Sequence, residues 1–491
     1  MEILHDAYEL GFSISIDRAA HSPLHMQVCE QLRQAILDGC LVSGTRLPST
    51  RVLAQTLGVS RTVTSAAYDE LFAEGYLESR RGSGTYIGCD LPPLPCRLPY
   101  SVPRTSSRWL SHALAVSQKE PVPSHVITFR LGTPSTASLP LRIWREAWKP
   151  ITHQQPPNEY GPINGNSALR EALAMYLGRS RGLACTAADI VITAGATHAL
   201  DLIARATLSV GDSIGFEEPG YPAARHVLLG RGGHILPLPI DEHGMQVERL
   251  PCGPSAPPLV YTTPSHQYPL AARLCVARRM ALLTWAEMND SLIIEDDYDS
   301  EFRFDAPALP SLASLDKTGR VAYIGTFSKV LTPALRVGYL VAPPLLRERV
   351  EHLMDMTNEH PSWSVQQMLA TLIADGHMGR HIRRMRHLYA EKRQTLENIF
   401  APLAPLAQLR GLEAGLHAYL ELRSDLDASF VARLAREHDV IVTTLDAYYT
   451  GTPDRSGLLL GYASLDIPDI IQGAMVVKEV IQQVEALHSH S

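Results

Sequence analysis

From Pro23 to Gly39 the chain reads PLHMQVCEQLRQAILDG, and Leu24, Val28, Leu32, Ala35 and Ile36 recur at helical spacing before glycine stops the run. A short amphipathic run follows through Val52, Leu53 and Leu57, entered at Pro48, capped by Ser49 and ended by Gly58. Ser60 then caps a further helix. After Gly75, YLESRRGSGTYI reads as two short strands around a glycine turn. Helix, tight turn, helix and hairpin predict a winged helix-turn-helix whose second helix is the reader. Further along the pattern changes. DIVIT, DSIGF, PLVYT, SLIIEDD and VAYIGTF are short apolar runs separated by long helical stretches, which predicts a parallel sheet covered on both faces. From about residue 345 the sequence is helix-rich, and a strand pair around HAYLEL and GLLLGY predicts a smaller α+β subdomain.

Residues 89–125 divide the two patterns. LPPLPCRLPYSVPRTSS and EPVPS are proline-rich and lack apolar periodicity, so they predict an extended, semi-rigid linker. The resulting plan is an N-terminal segment over 1–21, a DNA-binding domain over 22–88, the linker, and a large domain over 126–485. A length of 491 residues suits such a division. No apolar run approaches the roughly 20 residues that cross a bilayer, and the amino terminus lacks a basic stretch followed by an apolar core. The seven cysteines (residues 29, 40, 89, 96, 185, 252 and 275) are odd in number and unpaired in spacing. They read as reduced thiols of a cytoplasmic protein. The histidines form no metal-ligand pattern, so no metal is expected.

Charge alone does not reveal a nucleic-acid partner. The whole chain carries −7, and between residues 22 and 88 Arg33, Arg46, Arg51, Arg61, Arg80 and Arg81 are cancelled by Glu30, Asp38, Asp69, Glu70, Glu74 and Glu78. Placement is more informative. Arg61, Thr62 and Thr64 stand at the start of the reading helix, Arg51 on the helix before it, and Arg80, Arg81, Gly82 and Gly84 in the wing, where glycine lets backbone approach a groove. The order P-S-x-R-x-L-A, L-G-V-S-R, A-Y-x-x-L, E-G-Y-L and R-x-G-S-G-T-Y resembles the DNA-binding domain of GntR-type bacterial regulators. That resemblance implies a double-stranded operator as partner, touched by Arg51, Arg61, Thr62 and Gly82.

The large domain carries its own chemistry. In VAYIGTFSKVLTPALRVGYL a buried strand runs into Thr326, Ser328 and Lys329, followed by Arg336. A lysine at a strand end, its pKa lowered by burial, forms an imine with an aldehyde cofactor, and the hydroxyls and guanidinium suit a phosphate. SLIIEDDYDSEFR sets Asp296 at a strand end, where a carboxylate pairs with a pyridine nitrogen, and Tyr298 within reach of the ring oxygen. Gly195, Ala196 and Thr197 open a helix whose amides suit a phosphate, and Tyr221 offers a ring for stacking.

The blocks YGPINGNSALREALAMYLGRSRGL, ITAGATHAL, EEPGYP, TPSHQYPLA, IIEDDYDSEFR and GTFSKVLTPALRVGYL look like those of fold-type I aminotransferases, and two of them like the MocR/GabR-type subfamily of GntR regulators. The resemblance implies a pyridoxal 5'-phosphate cofactor as an internal aldimine on Lys329. It places Asp296, Tyr298 and Tyr221 around the ring and Gly195, Ala196, Thr197, Thr326, Ser328 and Arg336 near the phosphate. It further implies a head-to-tail homodimer that senses the cofactor or an amino-acid-like effector.

Two blocks depart from the aminotransferase pattern. The asparagine-proline block reads SHQYP, leaving His266 or Gln267 as partial substitutes. No arginine directly precedes Gly461 to clamp a carboxylate, Arg455 being the nearest upstream. Both departures favour sensing over turnover. An active aminotransferase carrying a DNA-binding module is the alternative.

Overall fold

The computed structural model describes residues 14–20, 22–80, 83–88, 122–123, 125–304, 309–357 and 361–488. The chain divides into two compact units, residues 1–119 and 120–491. Most of the proline-rich stretch lies outside the described residues, as do Arg81 and Gly82.

The first unit contains α1 (Leu24–Leu37), α2 (Thr50–Leu57), α3 (Arg61–Ala73), β1 (Leu77–Arg80) and β2 (Gly84–Ile87). Helix α1 buries Val28, Cys29, Leu32, Ala35 and Ile36, while Leu24 is only half-buried. In α2 the Ser49 hydroxyl accepts from the Val52 amide (3.3 Å), and Gly58 ends the helix at φ +62°, a conformation glycine adopts without strain. The buried face of α2 is Leu53, Ala54 and Leu57. Val52, expected on it, is exposed. Ser60 holds the N-cap position of α3 but makes no capping bond. The wing is an antiparallel pair in register from Leu77↔Ile87 to Arg80↔Gly84.

Residues ahead of α1 belong to this unit as well. Ile14 is buried in its core, Gln31 and Gln27 hold the backbone of Ser15 and Asp17, and Arg18 donates to Gly58 O (2.7 Å).

Thr64 departs from expectation. It is fully buried, and its hydroxyl donates to Thr50 O at 2.8 Å, with Arg61 O at 3.1 Å. Helical geometry explains the error: Thr64 lies about one turn beyond Arg61 and turns toward α2, so its hydroxyl ties the two helices together and cannot reach DNA. Replacing it with valine removes this tie between α2 and α3.

The second unit begins with β3 (Ile127–Thr128), α4 (Leu141–Thr152) and α5 (Ser167–Arg181). Its large sheet is built from β4 (Ile190–Thr193), β5 (Ser213–Glu218), β6 (His234–Asp241), β7 (Gly244–Met245), β8 (Leu259–Thr262), β9 (Leu292–Asp297), β10 (Val321–Thr326) and β11 (Gly338–Val341). Between them run α6 (Ala196–Thr207), α7 (Pro222–Gly230), α8 (Val276–Met288) and α9 (Leu312–Leu315). Strand order is β4-β11-β10-β9-β8-β5-β6-β7. The five apolar runs read from the sequence are all strands of it.

The sheet is mixed, not wholly parallel. β11 runs antiparallel to both β10 and β4, and β7 antiparallel to β6. Residues 327–337 are too few for a helical crossover, so the chain after β10 turns back on itself. That return keeps Lys329 and Arg336 at the carboxyl ends of the parallel strands, where open α/β sheets bind ligands.

The remaining elements are α10 (Pro344–Thr357), α11 (Trp363–Ala374), α12 (His377–Phe400), β12 (Ala407–Arg410), β13 (His417–Leu422), α13 (Ala428–Glu437), β14 (Val440–Ile441), β15 (Thr443–Thr444), β16 (Gly457–Gly461) and α14 (Ile467–His488). The small subdomain is a sheet of order β12-β13-β16-β15, and the expected HAYLEL–GLLLGY pair is β13 against β16. β14 pairs in parallel with β3, from the start of the unit. Among the described residues no helix is long and apolar enough to cross a membrane.

Thr64→Val is expected to cost the DNA-binding unit about 1 kcal/mol and to lower its melting temperature by several degrees. Thr62→Val, at an exposed position, is expected to leave it unchanged. Thermal unfolding of the two variants followed by circular dichroism compares them.

Candidate functional site

Two sites take shape, one in each unit. In the first, Arg51 lies in the opening turn of α2, and Arg61 and Thr62 in that of α3, all exposed. Neither arginine has a carboxylate partner among the described residues. Both are free to meet phosphates or base edges. In the wing, Arg80 is held by Glu78 (2.6 Å) and lies over the Tyr86 ring, 4.6 Å from its centroid. Gly84 has φ +121°, and a Cβ there would stand 3.2 Å from the Arg46 guanidinium. Arg46, which no helix or turn signal marks, therefore lies across the wing.

In the second unit a cavity of about 140 Å³ opens at the carboxyl ends of β8, β9 and β10. Lys329, Asp296, Tyr298, Tyr221, Ala196, Thr197, Thr326, Ser328 and Arg336 line it together, so sequence elements far apart in the chain converge on one space.

Strand alternation selects among the acids of IIEDD, because successive side chains face opposite sides of the sheet. Glu295 accepts from the Leu312 and Ala313 amides (both 2.9 Å), and burial pushes its carboxyl up to about 7. Asp297 pairs with the buried Arg181 (2.6 Å) and accepts from Tyr323 and Ser300. Only Asp296 faces the cavity. Its Oδ2 accepts from Tyr261 (2.8 Å), while Oδ1 is buried with no partner among the described residues. Burial pushes its carboxyl up to about 7, against the opposing Tyr261 hydrogen bond.

Opposite stands Lys329. Its Nζ donates to Gly132 O (2.8 Å), and burial lowers its pKa, favouring the nucleophilic neutral amine, while the charges of Asp299 and Asp296 oppose the shift. Gly132 has φ +65°, and a Cβ there would come within 2.7 Å of Nζ. No motif around Gly132 announces this role; it is a requirement of space.

The far end of the cavity is built for an anion. Gly195 (φ +103°) caps α6, so the amides of its opening residues, Ala196 and Thr197 among them, point into the site. Arg336 covers Gly195 at 3.3 Å from where a Cβ would lie, and donates to Ala194 O (3.1 Å). Arg336 is itself held at φ +50°, a strained conformation for a side-chain-bearing residue. The Thr326 hydroxyl donates to Ser328 Oγ (3.0 Å) and accepts from the Ser328 amide (3.1 Å).

The SHQYP block is resolved differently from expectation. Tyr268, not His266 or Gln267, reaches the cavity. Its ring meets those of Tyr298 (5.7 Å, 90°) and Tyr221 (5.3 Å, 79°) edge to face. Gln267 donates to Pro219 O (2.8 Å) and Tyr268 O (2.9 Å), which fixes the turn. His266 lies behind the wall: its Nδ1 is 3.0 Å from the Tyr298 hydroxyl and 2.8 Å from Asp299. The adjacent His417 is pushed down to about 3 by burial and stays neutral. Arg455 donates to Ile240 O (3.0 Å) in a separate crevice. Among the described residues Arg336 is the only arginine lining the cavity, so the carboxylate clamp sought near Gly461 is not supplied from there.

Asp296→Asn is expected to raise the melting temperature of the ligand-free protein at pH 8 and to change it little near pH 4. The folded carboxyl titrates near 7 and the unfolded one near 4, so stability is lost as pH rises between them. The uncharged amide escapes that loss. Calorimetry across the range checks it.

Each unit resembles known proteins. Residues 24–87 match the model of bacterial regulatory proteins of the gntR family, and residues 124–458 that of aminotransferase class I and II. The chain is 36% identical to the probable rhizopine catabolism regulatory protein MocR of Rhizobium meliloti over 96% of both chains. It is 36% identical to the pyridoxine biosynthesis transcriptional regulator PdxR of Corynebacterium glutamicum, over 91% of this chain and 94% of that one. Among solved structures it resembles kynurenine aminotransferase of Pyrococcus horikoshii (TM-score 0.68, 28% identity, 73% of this chain and 91% of that one). The chain thus belongs to the MocR-type transcriptional regulators, in which a GntR helix-turn-helix domain precedes a domain of the aminotransferase class I and II family.

Proposed function

We propose that this DNA-binding transcription regulator holds pyridoxal phosphate in the cavity of its second unit and uses it to sense a small primary amine. The observation that carries the reading is the Asp296 Oδ1, buried without a partner in the same cavity as Lys329 and the anion cradle. Those residues fit the cofactor. Asp296 would face the pyridine nitrogen, Lys329 would hold the aldehyde carbon, and the amides of α6 with Thr326, Ser328 and Arg336 would hold the phosphate. When bound, the group supplies an electrophilic carbon that captures amines and a ring that withdraws electrons.

The protein's residues do the rest. Asp296 would hold a proton at the ring nitrogen, and Lys329, whose neutral amine burial favours, would hold the aldehyde carbon in competition with the sensed amine. Tyr298, backed by His266 and Asp299, would present its hydroxyl to the ring oxygen, while Tyr268 and Tyr221 line the cavity wall. Sensing is favoured over turnover because Tyr268 stands where the sequence departs from the aminotransferase asparagine, and Arg336, the one arginine lining the cavity among the described residues, lies at its phosphate end.

For the amine to regulate, it must bind more tightly when the chain has one affinity for its operator than when it has the other. Arg51, Arg61 and Thr62 supply the operator contacts in this reading. A cytoplasmic head-to-tail homodimer is its natural assembly.

The purified chain is expected to show the visible absorbance of bound pyridoxal phosphate, and Lys329→Ala to lose it. Amines that change that spectrum are expected to change affinity for operator duplexes selected from a random pool, in the parent but not in Lys329→Ala. Rapid multiple turnover of an amino donor and a keto acid, with operator affinity indifferent to both, overturns the reading.

A further inference from the structure

Behind the wall of the cofactor cavity lies a closed group of polar side chains that the chemistry proposed above leaves half used. His266, in the turn after β8, is 3% exposed, Asp299, just past β9, 1%, and His417, which opens β13, 0%. One ligand atom from each lies within 4.8 Å of the others. The three are remote in sequence, so spacing along the chain shows no metal-ligand pattern. The fold assembles one.

Hydrogen-bond accounting shows what the group lacks. A neutral imidazole has one N–H and one bare lone pair. His417 Nε2 meets Pro269 O at 3.1 Å, and a carbonyl only accepts, so Nε2 carries the hydrogen and Nδ1 is bare. His266 Nδ1 meets Asp299 Oδ2 at 2.8 Å, and a carboxylate likewise only accepts, so the bare nitrogen there is Nε2. His417 Nδ1, His266 Nε2 and Asp299 Oδ1 are all buried without a partner among the described residues. The group thus holds three unanswered acceptors. One water offers two hydrogens, too few for all of them, whereas a cation draws on every lone pair at once. Gly415 keeps the group compact: at φ +89°, a Cβ there would come within 2.1 Å of His266 Cε1 and 2.7 Å of Asp299 Oδ2.

We propose that His266, Asp299 and His417 form a binding site for a divalent transition-metal ion, zinc above all. Two imidazoles and one carboxylate are a ligand set for such an ion, whereas calcium and magnesium favour shells of oxygen. Around zinc at about 2.0 Å the three ligand atoms would close to about 3.3 Å from one another, with water completing the tetrahedron. The Pro269 carbonyl orients His417 in the way that second-sphere acceptors orient metal-bound histidines. Position gives the site its consequence. Its ligands come from the turn that carries Tyr268, the strand end that carries Tyr298, and the small subdomain. Tyr298 stands 3.0 Å from His266, and the Tyr268 ring 5.4 Å from that of His417. A bound ion therefore ties the small subdomain to two tyrosines of the cavity wall, whether or not the cavity senses an amine.

The test uses the full chain with pyridoxal phosphate and a non-thiol reductant, loaded with zinc chloride and gel-filtered against a weak chelator before elemental analysis. The parent is expected to retain about one zinc per chain and to melt at a higher temperature with zinc than without it. Asp299→Asn and His417→Gln are each expected to lose that zinc and to melt alike in both conditions, while His234→Gln, at an exposed position, keeps it. Cobalt(II) in the parent is expected to give the intense visible bands of a tetrahedral nitrogen–oxygen site, a readout that needs no substitution. No zinc in the parent, equal zinc in the parent and both variants, or the weak cobalt bands of an octahedral, water-rich ion each overturn the proposal. Bound pyridoxal phosphate is read separately from its own absorbance, and its absence from the parent bears only on the function proposed above.

Discussion

A carboxylate taken out of water demands a compensating proton or cation, and much of the large unit is arranged around that demand at Asp296. Its neighbours on β9 turn away from the cavity: two backbone amides hold Glu295, and Arg181 with two hydroxyls compensates Asp297 through its Oδ2. Asp296 has only the neutral Tyr261 as a donor, on Oδ2, and its Oδ1 is left facing the cavity without a partner among the described residues. Three features serve the unsettled one. Strand alternation turns it toward the cavity, the antiparallel return of β11 brings Lys329 and Arg336 to the same end of the sheet, and Gly132 leaves room for the lysine. A protonated pyridine ring supplies what the fold withholds, so cofactor affinity and the strain of the ligand-free state share one origin.

The plan of the molecule was legible because it rests on local signals. Period-3.6 and short apolar patterns located the helix-turn-helix and five strands, and the Ser49 and Gly58 caps fell where side-chain chemistry puts them. The site was legible where a residue's role follows from its type at a strand end or helix start, as for Lys329, Asp296 and the α6 opening. It was obscure where a role depends on what lies across the fold. Thr64 looks like a contact residue until Thr50 O is placed beside it. The sheet looks wholly parallel until the shortness of the connection into β11 is weighed. His266 and Gln267 are the polar members of SHQYP, yet the turn at the following proline aims Tyr268 inward. Gly132 and Arg46 carry no signal because their importance is the space or surface they share with residues remote in sequence.

The two units thus handle charge differently. The helix-turn-helix balances its total charge and relies on the placement of a few arginines. The large unit buries Glu217, Glu295, Asp297 and Asp299 around the cofactor cavity, each with a hydrogen-bond or ion-pair partner, and leaves Arg179, Arg380 and Arg383 exposed without a carboxylate partner among the described residues. A regulator with an overall negative charge can therefore stay soluble and selective while offering phosphate-binding chemistry at defined places.

The short pairing of β3 with β14 has a mechanical meaning. Ile127 and Thr128 emerge directly from the proline-rich stretch, yet they are stitched to Val440 and Ile441, and Phe129 continues the seam onto Gly461. The tether is thus moored to the small subdomain, not to the large sheet. Any rearrangement of the small subdomain must therefore carry residues 127–129 with it, so the strand that opens the second unit follows that subdomain and not the large sheet.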